Sequence, residues 1–158
     1  MATLDDLRIS PDPGGDGSGV LHIPRDMLAA MLEHVEAGYP NEACGILAGT
    51  GEQPDERVTW HVPAANAAKT PRTFSEIAPH DLLDIWNTIE QHDWQLLAYY
   101  HSHPASPAYP SSHDVFWSQN WPGMFYIIFS LADREQPIVR AFLIEGEHVA
   151  EYRLALED

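Results

Sequence analysis

The chain has a single cysteine, Cys44, among its 158 residues. One cysteine cannot form an internal disulfide, so neither a disulfide scaffold nor a metal site built from several cysteines is open to this sequence. The fold must therefore be held by a hydrophobic core, for which 158 residues and a hydrophobic content of 44% are sufficient. A chain that needs no disulfide suits a reducing compartment, and we expect a cytoplasmic protein.

Helical and extended patterns are interspersed along the chain. Apolar residues recur at helical spacing in 24–36 and 79–93, and a short helix is predicted over 112–119. Strands are predicted at 19–23, 43–48, 58–62, 94–103, 124–131, 138–145 and 148–154. The last three indicate an antiparallel meander, and the pattern lacks a regular βαβ rhythm. We therefore predict one α/β domain of the mixed α+β kind over residues 19–158, with a central mixed sheet flanked by helices.

The N-terminal segment, residues 1–18, is acidic and rich in glycine and proline. A secretory signal is basic and then apolar, so this segment is better described as a flexible tail. The longest apolar runs, such as 124–131, are too short to cross a bilayer, and we predict no membrane span.

The chain is strongly acidic, with 8 Lys+Arg against 24 Asp+Glu and a formal charge of −16. Such a charge repels the phosphate backbone of nucleic acids, so nucleic-acid binding is not expected. Solubility explains this acidity. Electrostatic steering of a basic protein partner is the alternative.

Two histidines and an aspartate carry the spacing of a metal site. In a strand over 94–103, the period of two places His101 and His103 on one face, with Cα atoms about 6.6 Å apart. Asp114 follows after a proline-rich return and can add a carboxylate. Three protein ligands would leave one position for water, which is typical of a catalytic rather than a structural zinc. We predict one Zn²⁺ per chain.

Glu42 is the candidate general base that such a zinc would need. In a strand over 43–48, alternation places Glu42 on the side of Cys44 and Ile46, which is mainly apolar. Partial desolvation there would raise the pKa of the carboxyl group toward the range useful for proton transfer.

Together, Glu42, the run His101-Ser102-His103 and the pair Ser111-x-x-Asp114 resemble the complete JAMM motif of the MPN+ zinc metalloproteases. The resemblance covers most of the domain, and all the key positions agree with the family pattern. It implies an MPN fold, zinc held by the two histidines and the aspartate, and Glu42 as general base and then acid. It also implies that Ser111 helps to stabilise the tetrahedral oxyanion.

The resemblance further implies a substrate class. Compact prokaryotic members cleave after the C-terminal Gly-Gly of ubiquitin-like or sulfur-carrier proteins, and one group, which this chain is most similar to, frees cysteine from a carrier–cysteine adduct during cysteine biosynthesis. An isopeptidase of carrier–lysine conjugates remains open, and so does a non-catalytic MPN scaffold. Family members often form dimers, so a homodimer is compatible with the resemblance.

Several motif residues and their neighbours also fit ordinary structural roles. Ser111-x-x-Asp114 reads as a helix capping box, and an aspartate bound to zinc would not be expected to close that box well. Cys44 is expected to be a small buried hydrophobe. His113 is expected to be a surface or supporting residue rather than a ligand. Trp117 and Trp121 are expected to pack in the core, with a substrate groove as the alternative.

Overall fold

Eight strands form one mixed sheet in the computed structural model, which describes residues 2–9, 19–52 and 55–158. The strands are β1 Arg8–Ile9, β2 Val20–Pro24, β3 Cys44–Thr50, β4 Asp55–Ala64, β5 Gln95–His103, β6 Phe125–Ser130, β7 Ile138–Glu145 and β8 His148–Glu157. The helices are α1 Arg25–Gly38, α2 Pro79–Gln91 and α3 Ser112–Ser118. The predicted mixed α/β architecture with a central sheet is confirmed.

The strand order is β1-β7-β6-β5-β3-β4-β2-β8, and β8 also pairs with β7. Because β7 and β8 pair with each other, the seven strands from β7 to β8 form a closed ring. A closed ring leaves few strand edges unpaired. The predicted meander is confirmed, because β7 is antiparallel to both β6 and β8. The central strand β5 is antiparallel to β3 and parallel to β6, and α3 lies in the crossover between β5 and β6.

The two faces of the sheet are covered by different helices. One face packs against the buried residues of α1, which include Leu28, Met31, Leu32 and Val35. The opposite face packs against α2 through Ile85 and Ile89. Alternation along β3 sends Leu47 to the first face and Ile46 to the second. None of the helices in the described ranges combines the length and the apolar character needed to traverse a bilayer.

The N-terminal segment differs in part from the expected flexible tail. Residues 1 and 10–18 lie outside the described residues. Residues 2–9 contain a 3₁₀ helix at Leu4–Asp6 and the short strand β1, which pairs in parallel with β7. The reason is that Leu4, Leu7 and Ile9 pack against the main hydrophobic core.

Candidate metal centre

His101 and His103 lie at the end of β5 and point to the same face of the sheet. With one residue between them, the period of two aligns the imidazoles, as predicted from the sequence. Both side chains are buried, and their Nε2 atoms are 3.1 Å apart. The strand that carries the two rings, β5, is hydrogen-bonded to a neighbouring strand on each side, so its backbone is firmly held.

Asp114 reaches the two histidines from the first turn of α3. Its Oδ1 atom lies 3.2 Å from His101 Nε2, and its Oδ2 atom lies 3.3 Å from His103 Nε2. One ligand atom from each of the three residues can be chosen so that all lie within 4.8 Å of one another. The structure thus brings Asp114 to the two histidines, although it follows His103 by eleven residues in the sequence.

Asp114 closes the capping box of α3 and also faces the two imidazoles. Ser111 is the N-cap of α3, its Oγ accepts a hydrogen bond from Asp114 N at 3.1 Å, and its own N–H donates to Asp114 Oδ2 at 2.9 Å. A carboxylate has two oxygens and about four acceptor positions, so it can serve the box and the cluster at once. The box therefore fixes the carboxylate that faces the imidazoles.

The proline-rich loop after β5 sets the orientation of the His103 ring. His103 Nδ1 lies 2.8 Å from the carbonyl oxygen of Pro107. A carbonyl only accepts, so Nδ1 carries a proton, and in the neutral imidazole, the form that binds a metal, the Nε2 lone pair is left for the cluster. The loop is itself anchored, because Ser130 Oγ donates to the carbonyl of Ser106 at 2.6 Å.

The electrostatics of the cluster follow from attraction between the carboxylate and the imidazoles. Burial opposes the charged form of Asp114, but the charge of His101 and hydrogen bonds from both rings and from Ser111 hold its pKa well below the usual range. Burial likewise disfavours charged His103, but contacts with Asp114 and Pro107 outweigh it and raise the pKa of that imidazole.

Glu42 lies just before β3 and belongs to the same buried region. The register of β3 on β5 pairs Cys44 with His101, so Glu42 comes opposite His103 on the same face. Its side chain is buried, and desolvation raises the pKa of the carboxyl group, partly offset by His101 and His103. The direction agrees with the sequence prediction.

A contact between Ser75, Tyr99 and Cys44 beside Glu42 had no counterpart in the sequence analysis. The hydroxyls of Ser75 and Tyr99 are hydrogen-bonded to each other, and Tyr99 also contacts the Cys44 thiol. Cys44 is fully buried, as predicted, and desolvation raises its pKa to about 11. Neither Ser75 nor Tyr99 carries a motif, and only the pairing of distant segments identifies them.

A cavity of about 520 Å³ adjoins the cluster at Asp114. Its lining is mainly apolar and includes Ile46, Leu82, Leu96, Met124, Trp117 and Trp121. The expectation that the two tryptophans pack in the core is wrong, since they are 44% and 36% exposed. Trp117 lies in the last turn of α3 and Trp121 just after the helix, and both rings line the cavity, which leaves them only partly covered. His113, which is not part of the cluster, also lines the cavity, and its ring lies 4.4 Å from that of Phe74.

Comparison with known families gives a match over most of the domain. The family described as prokaryotic homologs of the JAB domain matches residues 24–144. A CysO-cysteine peptidase of Mycobacterium tuberculosis (strain ATCC 25618 / H37Rv) is 35% identical over 132 residues, which cover 84% of this chain and 88% of the relative. A probable TtuB-protein conjugate cleaving protease of Thermus thermophilus is 37% identical over 139 residues, covering 87% and 86%.

The fold is also similar to that of a solved structure. The solution structure of a Desulfitobacterium hafniense protein superposes with a TM-score of 0.78 at 31% sequence identity. The similarity covers 87% of this chain and 93% of the other. The architecture and the sequence comparison therefore agree over the same region.

Proposed function

The chain belongs to the prokaryotic JAB family of hydrolases, and on that premise we propose that it is a zinc-dependent peptidase. Its substrate is a ubiquitin-like or sulfur-carrier protein, and it hydrolyses the amide bond that follows the C-terminal Gly-Gly of that carrier. The observation that carries the proposal is the buried cluster of His101, His103 and Asp114 with Glu42 beside it.

The three side chains of the cluster fit a zinc ion. Zinc is bound in proteins by imidazole nitrogen and carboxylate oxygen, and catalytic sites typically use three protein ligands. A histidine that binds a metal typically donates its other ring N–H to an acceptor, which fixes the tautomer. His103 does so, because its Nδ1–H donates to the Pro107 carbonyl and its Nε2 faces the cluster. The acidic Asp114 remains ionised, as the direction of its pKa shift indicates. His101, His103 and Asp114 would hold the ion.

Zinc in such a site supplies Lewis acidity, which lowers the pKa of water and polarises a carbonyl group. The chain supplies the proton transfers. The Glu42 carboxylate takes a proton from the attacking water and delivers it to the leaving amine nitrogen, which is general base and then general acid catalysis. Burial of Glu42 raises the pKa of its carboxyl group, which makes the carboxylate a stronger base and so favours the first of these steps.

Ser111 donates to the oxyanion that forms at the scissile carbonyl. Its Oγ already accepts a hydrogen bond from Asp114 N, so the hydroxyl proton stays free to donate toward substrate. The side chain is exposed at the start of α3, next to the cluster. A donor of this kind typically lowers the barrier by about 3–4 kcal/mol.

The apolar cavity beside Asp114 accepts the part of the substrate next to the scissile bond. An extended carrier tail is flexible in solution, and apolar walls that include Trp117 and Trp121 would order it on binding. The names of the two relatives describe CysO-cysteine as the substrate in one case and a TtuB-protein conjugate in the other. We favour the carrier–cysteine adduct, with the lysine conjugate as the alternative.

We further propose that this activity resides in one domain, residues 19–158, and takes place in the cytoplasm. Cys44 is a free, buried thiol, and nothing in its environment requires an oxidising compartment. A homodimer stays a prediction.

The test is hydrolysis of a carrier protein joined through its C-terminal Gly-Gly to cysteine, compared with the same carrier joined to a lysine side chain. We expect release of free carrier, loss of activity with a chelator, and recovery on adding Zn²⁺. Glu42→Gln should retain zinc and lose most of its turnover, leaving a low residual rate. Binding of the carrier without hydrolysis by the zinc-loaded protein would instead favour the scaffold function, and undiminished cleavage by Glu42→Gln would remove this residue from its role.

A further inference from the structure

Glu42 is engaged at three points by one irregular segment, residues 66–76, that lies outside the sheet. Its backbone N–H donates to the carbonyl of Pro71 at 2.7 Å. Its backbone carbonyl accepts from Asn66 Nδ2 at 2.9 Å. Its carboxylate interacts with the Ser75 hydroxyl, which favours the charged form. Both the backbone and the side chain of Glu42 are therefore held by this segment.

Asn66 organises the segment around Glu42. Besides its bond to Glu42, Asn66 Nδ2 donates to the carbonyl of Phe74 at 2.9 Å. Its Oδ1 accepts from the backbone N–H groups of Ala68 at 3.0 Å and Glu76 at 3.1 Å. An amide has two donors and two acceptor positions, so these bonds use its full capacity. Because backbone carbonyls can only accept and N–H groups can only donate, the orientation of the amide is determined.

Ser75 connects the carboxylate to the sheet. The Ser75 hydroxyl is hydrogen-bonded to the Tyr99 hydroxyl, and its interaction with Glu42 lowers the pKa of that carboxyl group. Tyr99 lies on β5, where it pairs with Ile46 of β3 and packs against Tyr126 at a ring distance of 5.7 Å. The strand that carries the histidines therefore also supports, through Ser75, the side chain of Glu42.

We propose that Asn66 and Ser75 are positioning residues that hold Glu42 in the geometry needed for proton transfer. Asn66 sets the backbone at Glu42, and Ser75 sets the carboxylate. This inference rests on the proposed function, in which Glu42 moves the proton. Proton transfer requires hydrogen-bond distance between base and water, so a carboxylate that rotates freely would be less often in place. Loss of this support lowers kcat and leaves zinc binding intact.

The primary test is Ser75→Ala in the zinc-loaded full chain, with Thr73→Ala as the matched control. Thr73 is an exposed hydroxyl residue of the same segment, and its Oγ bonds to Thr70 instead of Glu42. Ser75→Ala should lower kcat about 10- to 100-fold, the range for a hydrogen bond to a charged group, with KM and zinc content unchanged. Ser75→Thr, which keeps the hydroxyl, should recover most of the rate, and Thr73→Ala should match the wild type.

A double-mutant cycle separates positioning from a general structural role. If Ser75 acts through Glu42, Ser75→Ala should lower kcat in the wild type but leave the residual rate of Glu42→Gln unchanged. Asn66→Asp keeps the two bonds that Asn66 accepts and loses the two that it donates. It should likewise lower kcat in the wild type and leave the residual rate of Glu42→Gln unchanged. This second variant tests the support of the Glu42 backbone independently of Ser75.

Two results would overturn the inference: Ser75→Ala as active as Thr73→Ala, or an equal loss from Ser75→Ala in the presence and absence of the Glu42 carboxylate. Both are distinct from failure of the proposed function, which would appear as absence of hydrolysis by the wild type or full activity of Glu42→Gln.

Discussion

Replacing Ser102 with alanine removes a hydrogen bond between the strand that carries the two histidines and the segment that carries Glu42. Ser102 lies between the histidines, is fully buried, and accepts from the backbone N–H of Ala43 at 2.9 Å. In Ser102→Ala that buried N–H loses its acceptor. The expected loss of unfolding free energy is about 1–3 kcal/mol. In a domain of this size each kcal/mol lowers Tm by about 2–4 °C, so Tm should fall by about 2–12 °C.

Thermal and urea unfolding followed by circular dichroism measure this loss, with Ser112→Ala as the control. Ser112 is the exposed first residue of α3, so its hydroxyl should contribute less than about 0.5 kcal/mol. Unfolding free energies that are equal in the two variants would refute the reasoning, because they would mean that the Ser102 hydroxyl does not stabilise the join between the two segments.

Two further predictions concern pH and substrate binding. Burial, with a smaller effect of His34, lowers the pKa of His61 to about 4, against about 6.5 in the unfolded chain. The unfolded state therefore binds more protons between these values, and stability should fall as pH drops through that window, by less than about 1.4 kcal/mol per pH unit. His61→Gln should flatten this decline in pH-dependent urea unfolding, and an unchanged slope would contradict it. Trp117→Ala should raise KM about tenfold, equivalent to about 1.4 kcal/mol of lost contact, with kcat unchanged in the hydrolysis assay. An unchanged KM would exclude the cavity as the binding site.

The parts of the site that depend on local geometry were predictable from the sequence. The period of two along a strand aligns His101 and His103 whatever the rest of the fold does. The capping signature Ser111-x-x-Asp114 likewise placed the aspartate in the first turn of a helix, which the structure has as α3. In the structure Asp114 both closes the box and faces the imidazoles, because a carboxylate has acceptor positions enough for both.

The residues that support Glu42 could not be predicted, because their contacts join segments far apart in sequence. Asn66 reaches Glu42, and Tyr99 reaches Ser75, only after β3 pairs with β5 and residues 66–76 pack beside Glu42. No periodicity marks an irregular segment of this kind. Trp117 was misassigned for a related reason: hydrophobicity indicates burial, but whether an apolar ring meets the core or a cavity is decided by tertiary packing.

Zinc binding by the purified protein tests the central claim most directly. Metal-free protein, prepared with a chelator and titrated with Zn²⁺ in a calorimeter, should bind one ion per chain. Asp114→Ala should lose this binding while keeping the fold by circular dichroism, and His113→Gln, which changes the neighbouring side chain outside the cluster, should retain it. A wild-type protein that binds no Zn²⁺, or an Asp114→Ala variant that binds it as the wild type does, would contradict the account.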